Sequence, residues 1–148
     1  MTIKLREWTW FDLPVLAALR ADAELQAQLM AKPKQNDVHE WLARRTSDPA
    51  GAFFIIDHEG ACAGFVQLTQ VERGESAWVG ICVAPGRQGQ GIGAQALSLI
   101  EAHARESFAA RVVKLKVLQS NTRAISLYER HGFRRSGDDG DACLMEKV

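Results

Sequence analysis

Apolar and polar positions first alternate, at Ile3 and Leu5 with polar residues between them, the mark of a short strand. The period then lengthens: Leu13, Leu16, Leu19 and Ala23 recur at helical spacing, behind Asp12 as N-cap and with Pro14 in the first turn. Lys32-Pro33 breaks that helix, and Asn36 or Asp37 caps a second one carrying Val38, Trp41 and Leu42. After a turn at Ser47-Asp48-Pro49-Ala50-Gly51, strands are predicted near 52–57, 61–71 and 75–83, separated by Glu59-Gly60 and Arg73-Gly74. A long helix follows from Gly89, with Ile92, Ala96, Leu99, Ile100 and His103 on one face. Val113, Leu115 and Val117 alternate with Lys114 and Lys116, a strand with one buried face. Ser120 or Asn121 caps a short helix through Arg130, which Gly132 stops in the manner of an αL cap. The tail, 133–138 and 142–147, pairs as a hairpin across Asp139-Gly140. The order βααβββαβαββ predicts an α+β fold, sandwich-like, with a central mixed sheet flanked by helices rather than a repeated βαβ series. No repeat, low-complexity tract or linker interrupts it, so residues 1–148 read as a single domain around one core.

Charge narrows the partners. Eighteen Lys plus Arg balance eighteen Asp plus Glu, so no global field recruits nucleic acid or an anionic membrane. The opening MTIKLREW is charged from its fourth residue and does not read as a signal peptide, and no apolar run approaches the roughly 20 residues that cross a bilayer. A cytoplasmic protein is the expectation. Cys62, Cys82 and Cys143 are widely spaced, odd in number and form no CxxC pair, which argues against a disulfide framework and a cysteine zinc site. His39, His58, His103 and His131 show no ligand spacing, and His58-Glu59 beside Gly60 reads as a solvated hairpin tip, so no metal is expected.

The segment from Ala84 to Ala94, APGRQGQGIGA, follows a strand and opens a helix. Glycines there let the backbone approach a ligand closely, and the first-turn N–H groups of a helix lack helical acceptors. Together with the helix dipole those donors make a phosphate site. A Walker loop requires Gly-Lys followed by Ser or Thr, which is missing. Gly89-x-Gly91-x-x-Ala94 satisfies a dinucleotide fingerprint in its glycine spacing. That fingerprint also needs an acid about 20 residues on to hold the ribose, and no Asp or Glu lies between Ser107 and Tyr128. The remaining readings are a coenzyme A pyrophosphate loop and a glycine-rich turn with no ligand.

Gln88-Gly89-Gln90-Gly91-Ile92-Gly93 resembles the Gln/Arg-x-x-Gly-x-Gly/Ala signature of the GNAT superfamily of N-acetyltransferases. Downstream, Asn121-Thr122-Arg123-Ala124-Ile125-Ser126-Leu127-Tyr128-Glu129-Arg130-His131-Gly132-Phe133 resembles the second signature of that family, Asn-x-x-Ala-x-x-Leu-Tyr-x-x-x-Gly-Phe. The resemblance is strongest from Trp78 to Phe133. Over residues 1–50 it is looser and, through Leu5-Arg6, Asp12 and the helical pair, leans toward the RimJ/RimL branch, whose members acetylate protein N-termini, polyamines or amino sugars. A GNAT-type fold implies a mostly antiparallel central sheet, acetyl-CoA as co-substrate, and as acceptor a small-molecule amine or a protein N-terminus, in a monomer or homodimer.

The resemblance also assigns roles. Backbone groups of Ile81 and Val83 meet the pantetheine arm, the amides of Gln88, Gly89, Gln90, Gly91, Ile92, Gly93 and Ala94 hold the pyrophosphate, and Asn121 contacts the coenzyme arm near Tyr128. Asn121 is equally explained as a helix N-cap. Tyr128, the chain's only tyrosine, stands at the family's acid position, although it shares a helical face with Ala124 and Ile125 and could simply pack there. Basic residues dominate from Arg105 to Arg135, with only Glu106 and Glu129 as acids, which matches either the phosphates of coenzyme A or an ordinary solvated face.

The implied reaction is direct attack of a neutral amine on the thioester, with a backbone N–H of the Val83 strand stabilising the oxyanion and the phenol protonating the leaving thiolate. Cys82 offers a covalent alternative, but no base to activate it is evident, and a small buried residue is the simpler reading. The histone-acetylating branch carries a glutamate in this strand where Ala77 stands, leaving Glu75, Glu72 or water to take the amine proton. Two competing functions use the same sequence: a non-catalytic acyl-CoA sensor, and an interaction module with an empty glycine loop. Trp8, Trp10, Phe11, Glu24, Met30 and Trp41 lie in the segment that builds the acceptor wall in the family, or else belong to the core.

Overall fold

The computed structural model describes residues 2–29, 31 and 37–148. Its strands are β1 (Ile3–Arg6), β2 (Ala52–His58), β3 (Ala61–Glu72), β4 (Ser76–Val83), β5 (Val112–Leu118), β6 (Arg134–Asp139) and β7 (Ala142–Lys147). Its helices are α1 (Leu13–Ala21), α2 (Ala23–Gln28), α3 (Val38–Ser47), α4 (Ile92–Phe108) and α5 (Thr122–Arg130), with 3-10 turns at Trp10–Asp12 and Pro85–Arg87. All the strands form one sheet in the order β1-β2-β3-β4-β5-β7-β6. Every pairing is antiparallel except β4 with β5. No described helix is long and apolar enough to cross a membrane.

The turns follow from their residues. Glu59 and Gly60 both hold positive φ, and Gly140 closes the β6–β7 hairpin at φ 61°. Two expectations need correction. The predicted first helix divides at Asp22, which turns extended and accepts a hydrogen bond from Leu25 N–H at 2.9 Å, so α1 and α2 are separate helices. Asp12 stands at the head of α1 but makes no cap bond to its first turn, because Arg6 and Thr9 take its oxygens. Asp37 caps α3, accepting from His39 and Glu40. Met30, Lys32, Pro33 and Asn36 lie outside the described residues.

The sheet separates two apolar clusters. On one face α4 and α5 pack Ile92, Ala96, Leu97, Ile100, Ala104, Phe108 and Ile125 over β3, β4 and β5. On the other, Leu16, Leu19, Leu25 and Leu42 from α1–α3 cover Phe53, Ile55, Phe65 and Cys82. The buried row of α4 runs in four-residue steps, 92-96-100-104-108, which drift around the helix. Leu97 therefore lies within the buried arc and Leu99 at its edge, 38% exposed, against the predicted face.

Arg6 ties the N-terminal strand to both the α1 entrance and the β2–β3 hairpin. Its Nε donates to Asp57 Oδ2 at 2.7 Å, and its terminal nitrogens donate to the two Asp12 oxygens at 2.8 and 2.9 Å. Asp12 and Asp57 are 3% and 5% exposed. Burial alone would raise both carboxyls, yet hydrogen bonds from Arg6, Thr9 N–H and Gly60 N–H hold them below the ordinary carboxylate range.

Replacing Arg6 by Met strands two buried carboxylates and is expected to cost about 3 kcal/mol in urea unfolding at pH 7. In the native protein the depressed carboxyls contribute stability above about pH 4 that is lost as pH falls through their folded values. In Arg6→Met the same carboxyls are raised, so the deficit should shrink as pH falls below about 5.

Candidate active site

β4 and β5 run together only at Ser76–Val112, Ala77–Val113 and Trp78–Lys114. Beyond Trp78 the two strands part, β4 staying with β3 and β5 with β7. Ala84 N–H donates to Ala63 O at 2.8 Å, so in the alternating ladder Cys82 and Gly80 turn their backbone groups toward β3 while Val83, Ile81 and Val79 turn theirs toward the gap. The Ile81 and Val83 amides thus face an opening with no ladder partner. A glycine fixes the end of β4: a Cβ on Gly64, whose φ is +145°, would stand 2.0 Å from the Cys82 carbonyl oxygen.

The glycine loop borders one side of this gap. Gly89 and Gly91 both have φ 80°, and Gly91 is the residue from which α4 starts. The amides from Gly89 through Ala94 have no hydrogen-bond acceptor among the described residues. They sit at the N-terminus of a 17-residue helix, where its dipole favours negative charge. Gln88 Nε2 ties the loop to the strand through Val83 O at 3.2 Å, leaving the Val83 N–H as that residue's gap-facing group. A cavity of about 560 Å³ runs along this side, bounded by Val83, Gln88, Gly89, Gly91, Gly93 and Ala94 from the loop and by Arg123, Leu127 and Arg130 from α5. The chemistry of that lining, free amides with cations across from them, fits a pyrophosphate-bearing coenzyme.

A second cavity of about 650 Å³ opens on the sheet face covered by α1–α3. The two cavities share Gln28 and Leu29 at the end of α2, Ile81 and Cys82 of β4, and Asn121, Ala124 and Tyr128 at α5, so they meet where β4 and β5 part, beside the end of α2. Asn121 Oδ1 accepts from Ala124 N–H at 3.2 Å and caps α5 while lining both cavities. Tyr128 packs edge-on to Phe133, ring centres 6.0 Å apart, and burial raises its phenol above the ordinary value. Its hydroxyl has no hydrogen-bond partner within the protein among the described residues. Cys82, 1% exposed, is held by the α1–α3 cluster, and burial, followed by Cys62, pushes its thiol up to about 12.

Of the predicted acceptor-wall residues, Trp41 lines the second cavity. Trp8 and Trp10 cluster instead with His39, and Phe11 and Glu24 are exposed away from the cavity. Glu72 and Glu75 are exposed at the β3–β4 turn and border neither cavity. Among the residues that sequence reasoning passed over, two polar ones within otherwise apolar core patterns line the second cavity. Arg20 follows Leu16 by one helical turn on the buried face of α1, and Gln67 interrupts the apolar run Phe65-Val66-Gln67-Leu68. In each case a polar residue at a core-facing position was the available signal.

The model of the acetyltransferase (GNAT) family matches residues 4–133. No curated protein sequence matches the chain. Among solved structures, the spermidine N-acetyltransferase from Vibrio cholerae, in complex with CoA and spermine, superposes with a TM-score of 0.88 at 22% identity, over 97% of this chain and 94% of that one. A chimera of the Vibrio cholerae enzyme with hSSAT gives 0.85 at 21% identity, over 100% and 96%. A domain from Methanocaldococcus jannaschii gives 0.80 at 20%, over 98% and 97%. At such identities these structures establish a shared fold.

The loop geometry selects the variant that tests it. Gly91 is left-handed, so a bulky residue there strains the backbone as well as crowding a ligand. Gly93 has ordinary φ, and a Cβ there would meet Val83 and Leu127 at 3.8 and 4.0 Å, normal contacts. Gly93→Val is expected to keep the thermal midpoint, since Gly and Val differ little in helix propensity, and to weaken coenzyme A binding about tenfold or more by filling the cavity. Gly93→Ala should bind nearly as the native protein does. Equal calorimetric affinities for native protein and Gly93→Val would remove the loop from the coenzyme site.

Proposed function

We propose that this chain, which belongs to the acetyltransferase (GNAT) family, transfers the acetyl group of acetyl-CoA directly to a primary amine in a ternary complex. As a member of that family it is an acyl-CoA-dependent acetyltransferase. The observation that carries direct transfer is the gap between β4 and β5: a cavity at the phosphate-suited loop and a second cavity under α1–α3 meet there, with Tyr128 bordering both. Two reactants held on either side of one opening need no covalent relay. The likeness to a fold solved with CoA and spermine supports an amine as acceptor.

When bound, acetyl-CoA supplies the acetyl group as a thioester: a C–N bond forms, the C–S bond breaks, and ammonium plus thioester give amide, thiol and one proton released to water. The amides from Gly89 to Ala94 bind the pyrophosphate, and Ile81 presents its backbone groups to the coenzyme arm. The Val83 N–H, fixed in the strand, donates to the carbonyl oxygen as negative charge grows there. Tyr128 protonates the departing sulfur. Its raised pKa keeps the proton in place at neutral and mildly alkaline pH, as a general acid requires. Asn121 holds α5, and with it Tyr128, at the gap. With Glu72 and Glu75 outside both cavities, water carries away the amine proton. Cys82 is packing: its thiol is raised rather than activated.

Acetyl-CoA consumption measured against amino acids, polyamines, amino sugars and N-terminal peptides tests the reading. Binding of acetyl-CoA without turnover of any amine would instead identify a sensor. Cys82→Ala is expected to keep most activity with sequential kinetics, whereas ping-pong kinetics and a trapped acyl-cysteine would overturn direct transfer.

Tyr128→Phe keeps the ring against Phe133 and removes only the proton donor. Its kcat should fall about 10²–10⁴-fold with acetyl-CoA affinity unchanged. Because burial raises the phenol, native kcat should show no loss from its ionisation below about pH 10. Near-native kcat in a folded Tyr128→Phe would make Tyr128 a packing residue.

A further inference from the structure

The acceptor-side cavity is lined by cations. Arg20 of α1, Arg44 and Arg45 of α3 and Lys116 of β5 border it, and no Asp or Glu does among the described residues. Positions 30 and 32–36, flanking Ala31 of the lining, read Met, Lys, Pro, Lys, Gln and Asn in sequence and contain no acid. Lys116 is already engaged by Asp139 at 2.9 Å, so it adds little net field. Arg44 and Arg45 belong to none of the ion pairs among the described residues. Arg20 is 6% exposed with its guanidinium 4.4 Å over the Trp41 ring. Burial, then the charges of Arg44 and Arg45, lower its pKa, so Arg20 feels both α3 guanidiniums. A positive, partly desolvated wall repels a polycation and attracts an anion.

A second group in the same cavity calls for a donor. Gln67 Oε1 is buried and has no hydrogen-bond partner among the described residues. The Gln67 amide lies across from Gly80 of β4, close enough that a Cβ there would be 3.1 Å from its nitrogen, and Gln67 and Gly80 both border the cavity. An unpaired buried carbonyl of this kind is destabilising until a donor reaches it.

Resting on the acetyl-transfer reading, we propose that the acceptor is a small primary amine carrying an anionic group, a carboxylate or a phosphate, held by Arg20, Arg44 and Arg45 while Gln67 Oε1 accepts a hydrogen bond from the amine. The cavity's sign then distinguishes this chain from the structural neighbour solved with spermine, a polycation. Guanidinium forks bind carboxylate and phosphate equally well in geometry, so the cluster selects charge first and the shape of the anion second.

The test is turnover of acetyl-CoA with matched amines: butylamine against 4-aminobutanoate, ethanolamine against O-phosphoethanolamine, together with the amino acids and spermidine. The anionic member of at least one pair, or an amino acid, should exceed butylamine and spermidine about tenfold or more in kcat/KM, and the pair that does so separates carboxylate from phosphate. The double variant Arg44→Glu, Arg45→Glu changes helix-surface positions and leaves buried Arg20 in place. It should raise KM for the preferred anionic amine about tenfold or more, with KM for acetyl-CoA unchanged. Spermidine as the best substrate, or an anionic preference untouched by the double variant, overturns the proposal while leaving acetyl transfer standing. Failure of every amine in the presence of bound acetyl-CoA overturns the transfer reading, and this inference falls with it.

Discussion

The parting of two parallel strands governs this molecule. A strand inside a sheet satisfies its backbone polar groups on both sides, and leaving them unmatched in an interior is costly. β4 keeps its neighbour for three residue pairs and then loses it, so the amides of Ile81 and Val83 are left facing an opening. That opening is where a ligand backbone or thioester arm can complete the ladder. The parts around it serve to keep it open and aligned. Gly64 allows β3 to approach the end of β4 too closely for any side chain, Gln88 fastens the glycine loop to Val83, and the Asn121 cap sets the first turn of α5 beside the gap.

On the proposed reading, recognition of the coenzyme falls mainly to the backbone and the chemistry to one hydroxyl. The loop amides at the head of α4 need no charged side chain to favour phosphate, because unsatisfied donors and the helix dipole act together. Burial shifts the two groups nearest the gap in the same direction, raising both the Tyr128 phenol and the Cys82 thiol. The consequence differs with role: a raised phenol remains a proton donor, while a raised thiol is a poor nucleophile. The same low-dielectric interior thus favours direct transfer over an acyl-cysteine.

Charge is arranged differently in the two halves of the site's surroundings. At Arg6 a single guanidinium meets two buried carboxylates and fixes β1, the α1 entrance and the β2–β3 hairpin to one another. At the second cavity Arg20 of α1 lies with Arg44 and Arg45 of α3 and no Asp or Glu lines it among the described residues, an arrangement that favours an anion. The first arrangement reads as architecture. The second reads as specificity, since clustered like charges cost stability wherever no ligand compensates them.

Local signals wrote most of the fold and half of the site. Alternation at Val113, Leu115 and Val117, the left-handed glycines at turns, the Asn121 cap and the two signature segments each act within a few residues, so the element types and the phosphate-suited loop were legible from the amino-acid sequence. Asp22 was less so, because an acid within a continuous apolar period can as easily lie on a helix surface as cap a new helix. Leu99 was misplaced because the sheet, not the helix, decides which edge of a broad apolar stripe is covered. The acceptor side was hidden for a deeper reason. Its wall draws on α1, α2, α3, β3, β4 and β5, and whether Arg20 or Glu24 faces it depends on the packing of separate helices over the sheet. The sequence by itself determined that a phosphate-suited glycine loop and a phenol lie in order along the chain. Only the tertiary structure decided that they meet across a strand gap and that the chamber beyond it is positive, because distance and sign at a cavity are sums over elements remote in sequence.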